Sequence, residues 1–127
     1  MKIITSQQLP PPGGHYSQGV LSGNLLFVSG QLPFNQRTGT FPDGIEAQFV
    51  QAMKNVETVL HVADATLANL VNVQIFISDV EHWQTVNTHY AELLSAHRPA
   101  RTIIPCGQLH YGALVEITAV AELFTYV

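Results

Sequence analysis

Apolar residues change their spacing several times along this chain, and each change marks an element. Residues 2–5, Lys2-Ile-Ile-Thr5, read as a short strand. The runs 15–21 and 25–29 flank Ser22-Gly-Asn24, a favourable hairpin turn, and Arg37-Thr-Gly39 marks a second turn. Between Gly39 and residue 63 the period lengthens. Ile45, Phe49, Ala52, Met53, Val56, Val59, Leu60 and Ala63 recur at helical spacing, which predicts a helix over 45–62 with Asp43 as its cap.

Over 67–77 the pattern becomes strand-like, with Val71, Val73, Ile75 and Ile77 alternating with Asn72, Gln74 and Phe76. Ser78-Asp-Val-Glu81 has the spacing of a capping box and opens a second helix through about residue 97. Trp83, Val86, Tyr90 and Leu93 or Leu94 supply its buried stripe. Two apolar, β-branched runs close the chain, Arg101-Thr-Ile-Ile-Pro and the stretch 113–121, and both read as buried strands. The order β-β-β-α-β-α-β-β predicts an α+β fold: a mixed six-stranded sheet with two helices packed on one face. The other face then needs something to pack on.

Composition bears on that bare face. Of 127 residues only 11% are charged, against about 25% in a typical soluble domain. Too little polar surface remains to coat a lone globule, so an obligate oligomer is expected. The length fits a single domain over 1–127. No stretch approaches the ~20 apolar residues of a membrane span, and the N-terminus lacks the apolar core of a signal peptide. A lone cysteine, Cys106, excludes internal disulfides and fits the reducing cytoplasm. The formal charge of −4, with five Lys and Arg in all, argues against a nucleic-acid partner.

Candidate chemistry centres on Arg101 and Glu116. A guanidinium and a carboxylate within apolar runs cost several kcal/mol each to desolvate unless compensated. Either the two pair with each other, or Arg101 awaits a small carboxylate, which its planar fork matches bidentately, while Glu116 acts as acid, base or water holder. The six histidines form no His-x-His or His-Glu-x-x-His pattern, so no metal site is expected. Cys106 reads as an inert buried thiol. No phosphate loop, dinucleotide fingerprint or Gly-x-Ser-x-Gly occurs, so no cofactor is expected. Three runs look purposeful: Tyr16-Ser-Gln18 after the hinge Pro10-Pro-Pro-Gly-Gly14, Ser29-Gly-Gln-Leu-Pro33 at a strand end, and Asn87 within a helix. Each also has an ordinary reading, as a core tyrosine or a local hydrogen bonder.

Taken together the runs resemble the reactive-intermediate deaminase family, RidA or YjgF, also described as endoribonuclease L-PSP. The likeness spans the chain through Tyr16-Ser-Gln-Gly, Phe27-Val-Ser-Gly-Gln-Leu-Pro33, Ile45-Glu-Ala-Gln48 and Phe76-Ile-Ser-Asp79. It continues through Val86-Asn87, Tyr90-Ala-Glu92, Arg98-Pro-Ala-Arg-Thr102 and Gly112-Ala-Leu-Val-Glu-Ile117. The last two runs, with fifteen residues from Arg101 to Glu116, are its most specific part.

The resemblance implies a chorismate-mutase-like fold and a barrel-like homotrimer, its sheets facing inward, with active sites between subunits. It implies cofactor-free hydrolysis of enamines and imines such as 2-iminobutanoate and 2-iminopropanoate to 2-oxo acids and ammonia. Arg101 and Glu116 would be catalytic; Tyr16, Ser29 and Asn87, with the backbone of Gly30 and Ile103, would bind substrate. Many members carry cysteine where this chain has Ile103, and proline where it has His15, while Pro105 and Gly107 bend a strand that is usually more regular. Members are also described as endoribonucleases that inhibit translation, and as chaperone-like or 2-oxo-acid-sensing proteins; those are the rival readings.

Overall fold

Alternation and turn chemistry set the first half of the sheet. The computed structural model describes residues 1–124, and in it β1 (Lys2–Ile4), β2 (Gly19–Ser22) and β3 (Leu25–Gln31) form an antiparallel meander. Gly23, at φ 61, takes the left-handed position of the tight turn between β2 and β3. Residues 15–18, expected as strand, are irregular. Gln18 is buried there, and its side-chain amide accepts from the Ser6 N–H (2.7 Å) and donates to the carbonyls of Ser6 and Pro10 (3.2 Å each). These bonds fasten residues 6–10 against the sheet in place of a ladder.

The first helix, α1 (Ile45–Val62), has the predicted bounds and buries the predicted stripe. Its cap differs: Gly44, at φ 86, turns the chain into the helix and its carbonyl accepts from the Gln48 N–H, while Asp43 makes no cap. A 3₁₀ turn, Leu67–Asn69, held by reciprocal bonds between Thr66 and Asn69, delays β4 to Leu70–Ile77. A bulge between Leu70 and Asn72 then throws Val71 out to solvent, so the core side of β4 is Leu70, Val73, Ile75 and Ile77. The second helix, α2 (Trp83–Leu94), follows a 3₁₀ turn capped by Asp79, not Ser78. It stops short of residue 97 because Ser95 adopts φ 54. Val86, Tyr90 and Leu94 are its buried stripe; Trp83 and Leu93 stay partly exposed.

The closing strands are β5 (Ala100–Pro105), parallel to β4, and β6 (Val115–Glu122), antiparallel to both β3 and β4. The mixed sheet runs β1-β2-β3-β6-β4-β5, with both helices on one face. The run 101–105 was expected to be buried; it is the edge strand, and its residues are half-covered or exposed. On the face away from the helices, cross-strand rows of apolar residues meet solvent. Ile3, Val20, Phe27 and Val120 form one row, and Phe76 and Ile104 flank each other beside Glu116. Ile3 is 58% and Phe27 45% exposed, which is the unpartnered apolar face anticipated above.

Candidate functional site

The candidate residues gather into two groups on different parts of the sheet. Arg101 pairs in register with Val73, a core-facing residue, so its side chain leaves the sheet on the helix side. There its Nη1 donates to Asn87 Oδ1 at 2.9 Å. The guanidinium carbon lies 4.9 Å from the Tyr90 ring centroid and 5.9 Å from that of Trp83. These three residues stand at i, i+4 and i+7 on α2 and therefore share a face. Aromatic faces attract the cation and fix its plane. With one bond to Asn87 among the described residues, the guanidinium has further N–H groups that can engage a carboxylate. Ile103 lies two residues on, on the same side, its side chain packed at the margin of the core. Near Arg101 the Tyr90 hydroxyl is buried without a hydrogen-bond partner among the described residues. Burial raises its pKa above the ordinary phenol value, against the lowering effect of Arg101.

Glu116 anchors the second group. It pairs in register with Phe76 and so points to the bare face. Its carboxylate lies against Gly30, where an added Cβ would sit 2.7 Å from Oε2 and 3.1 Å from Cδ. Gly30 and Ser29 occupy an irregularity between Val28 and Gln31 that lets β3 bend around this carboxylate. The Ser29 hydroxyl donates to the Ser17 carbonyl (2.6 Å), tying β3 to the Tyr16 segment. Burial raises the Glu116 pKa above the usual carboxylate value, partly offset by the nearby charge of His110. Among the described residues the carboxylate has no ion-pair partner within 4 Å.

Tyr16, Ser29, Gly30 and Glu116 all line one open groove of about 840 Å³. Its other walls come from the hinge at residues 10–14, from Phe34 and Phe41, and from the loop 108–111. Asn55 holds one wall: its Nδ2 donates to the carbonyls of Leu32 and Phe34, both at 2.9 Å. Gln48 ties two loops to α1, accepting from the Leu114 N–H (2.8 Å) and donating to the Pro42 carbonyl (3.0 Å). From the sequence, Gln48 figures only within a family-like run and Asn55 not at all; neither is given a role there. The signal was there, since buried Gln48 and Asn55 fall seven apart on the apolar stripe of α1. His110 was likewise not singled out as a neighbour of Glu116.

Thus Tyr16, Ser29, Gly30 and Glu116 are brought together, Asn87, Arg101 and Ile103 are brought together, and the two sets are not. Arg101 and Glu116 do not pair within the chain. Cys106, expected to be buried, is exposed at the bend after β5, its N–H donating to the Ile77 carbonyl at 2.9 Å. The described residues contain no cluster of three or more His, Cys, Asp or Glu suited to a metal ion, and no helix long and apolar enough to cross a membrane.

Comparison with known proteins places this arrangement in context. The family described as Endoribonuclease L-PSP matches residues 6–123. The 2-iminobutanoate/2-iminopropanoate deaminase of Escherichia coli is 32% identical over 123 residues, which cover 94% of this chain and 96% of that protein. A RutC family protein of Pyrococcus horikoshii is 32% identical over 121 residues, covering 94% and 96% respectively. Among solved structures, Escherichia coli TdcF with bound serine superposes with a TM-score of 0.92 at 29% identity, over 98% of this chain and all of that one.

Proposed function

The chain belongs to the Endoribonuclease L-PSP family, which includes the RidA and YjgF proteins, and on that footing we propose that it hydrolyses 2-imino acids to 2-oxo acids and ammonia. The family's named deaminase acts on 2-iminobutanoate and 2-iminopropanoate, and the site has parts suited to that reaction. The observation that carries the reading is Glu116: a half-buried carboxylate pressed on Gly30 at the edge of a groove, with no ion-pair partner within 4 Å among the described residues and its pKa raised by burial against the opposing charge of His110. A carboxylate left without an ion pair, in reach of water, is suited to proton transfer rather than to holding the fold together.

In this reaction the substrate carboxylate docks on the guanidinium of Arg101, held flat by Asn87 and Tyr90. Glu116 takes a proton from water as the oxygen bonds to the C=N carbon, while the π electrons move to nitrogen, which takes that proton back from the Glu116 carboxyl. The carbinolamine hydroxyl then gives its proton to the Glu116 carboxylate, which passes it to the amino nitrogen; the C–N bond breaks, ammonia leaves and the C=O forms. No cofactor enters this scheme. Tyr16 and Ser29, with the backbone N–H groups of Gly30 and Ile103, complete the binding set.

Because Arg101 and Glu116 leave opposite faces of one sheet, the proposed site needs Arg101 of one copy beside Glu116 of another. A homotrimer packed through the bare sheet face provides such clefts, and the exposed row of Ile3, Val20, Phe27 and Val120 supports it. The serine-bound TdcF relative favours a second reading, in which the cleft binds amino or 2-oxo acids without turnover. Coupling the purified protein to a threonine dehydratase separates the two: faster release of 2-oxobutanoate supports hydrolysis, and unchanged release alongside 2-oxobutanoate binding supports the sensor. Ribonuclease activity fits the charge poorly, with a net −4 and five Lys and Arg.

A further inference from the structure

The groove beside Glu116 extends past the carboxylate to Phe41 and Tyr111. Its volume in one chain is about 840 Å³, of which the neighbouring copy closes part in the proposed shared cleft, so the lining decides what the remaining room accepts. Tyr111 is 82% exposed yet lines the groove, and it sits in left-handed backbone at φ 56, a strained state for an aromatic residue. Two ring contacts surround it: edge-on packing with Phe41 (centroids 6.5 Å, 72°) and with His110 (5.0 Å, 82°). Phe41 lines the same groove, as does Leu109. An aromatic side chain held in a strained conformation over a cavity, rather than folded away, forms a wall that a ligand can pack against.

Resting on the hydrolytic reading above, we propose that the preferred substrates are 2-imino acids with an aromatic side chain. The carboxylate and imine carbon lie toward Arg101 and Glu116, and the ring packs against Phe41 and Tyr111. The bond changes are the same for any side chain: water adds to the C=N carbon, then the C–N bond breaks and ammonia leaves. Only binding differs, and one well-filled apolar subsite discriminates by roughly ten- to two-hundredfold.

The test compares imines generated in solution from L-phenylalanine and L-alanine by an amino-acid oxidase, with semicarbazide trapping whatever the protein leaves. The expected result is a kcat/KM for the phenylalanine-derived imine at least about tenfold above that for the alanine-derived one. Tyr111→Asn removes the ring, and asparagine tolerates the left-handed backbone, so this exposed site should fold normally. That variant, and Phe41→Leu as an independent second one, should each lower the ratio severalfold. A ratio of one or less in the wild type overturns the proposal, as does a ratio that neither variant changes. Hydrolysis of the alanine-derived imine alone overturns the substrate class and leaves the reaction standing. Hydrolysis of neither overturns the reaction and this inference together.

Discussion

Arg101 and Glu116 stand on strands that flank β4 on either side, and their side chains leave opposite faces of the sheet. Arg101 registers with Val73 and Glu116 with Phe76. Two strand spacings and three residues along the strand separate their backbones by about 14 Å. The simplest structural explanation of two charges in apolar runs, that they neutralise each other, therefore does not hold within one chain. Each charge is accommodated separately: the guanidinium by Asn87 and two aromatic rings, the carboxylate by Gly30 and an open groove.

Arg101→Lys should reduce imine turnover by at least about tenfold, because an ammonium cannot bond Asn87 and also present a flat fork to a carboxylate. The fold should survive, since Arg101 lies on an edge strand and is only half-covered. Steady-state rates beside a thermal melt check this. A variant within twofold of wild type would rule out bidentate capture.

Gly30→Ala tests whether the carboxylate needs its seat. The new Cβ would lie 2.7 Å from Glu116 Oε2, the free end of a flexible side chain, so the carboxylate moves aside at little cost to stability. The melting temperature should stay within a few degrees of wild type while turnover falls by about tenfold or more. Loss of both together would instead mean that the β3 bend, rather than the carboxylate, had been disturbed.

Much of this was legible in sequence because periodicity reports burial. The stripe of α1 gave its bounds to the residue, and the six strands with two helices on one face followed from the pattern. What was misjudged depended on backbone events that a hydrophobic pattern does not encode. The bulge that exposes Val71, the cap at Gly44 and the stop at Ser95 are all of this kind. The run 101–105 looked like core because edge strands that await a partner are as apolar as buried ones. Which face each charge takes could not be read at all, since it depends on register between strands distant in sequence. Gln48 and Asn55 were readable as polar residues in an apolar stripe; Asn55 holds a groove wall, and Gln48 ties Pro42 and Leu114 to α1.

The pH dependence of the reaction should reveal Glu116. Burial raises its pKa and the charge of His110 lowers it. If the ionised carboxylate accepts the proton from water, the rate falls as pH drops through that raised pKa. His110→Gln removes the opposing charge, so Glu116 should hold its proton to higher pH and the acid limb of kcat/KM should move upward. Glu116→Gln should abolish that limb along with most of the rate. An acid limb that stays in place in the His110 variant would show that the two groups are not coupled.

The separation of Arg101 from Glu116 leads to the most direct test of a shared site. Arg101→Ala and Glu116→Gln should each be nearly inactive alone, because every cleft then lacks one of its two charges. In a ring where each cleft takes Arg101 from one copy and Glu116 from its neighbour, mixing the variants restores some clefts in full. A cleft is intact when the copy supplying Glu116 carries the Arg101 change and the copy supplying Arg101 carries the Glu116 change. With random assembly from equal amounts, each condition holds half the time, so about a quarter of clefts should be intact. Co-unfolding and refolding the two variants together should therefore recover about a quarter of wild-type turnover, while refolding each separately recovers none. If both residues instead served one chain's own site, no mixture could assemble an intact one. A mixed sample no more active than its components, with subunit exchange verified by a mass tag on one variant, would exclude the shared cleft.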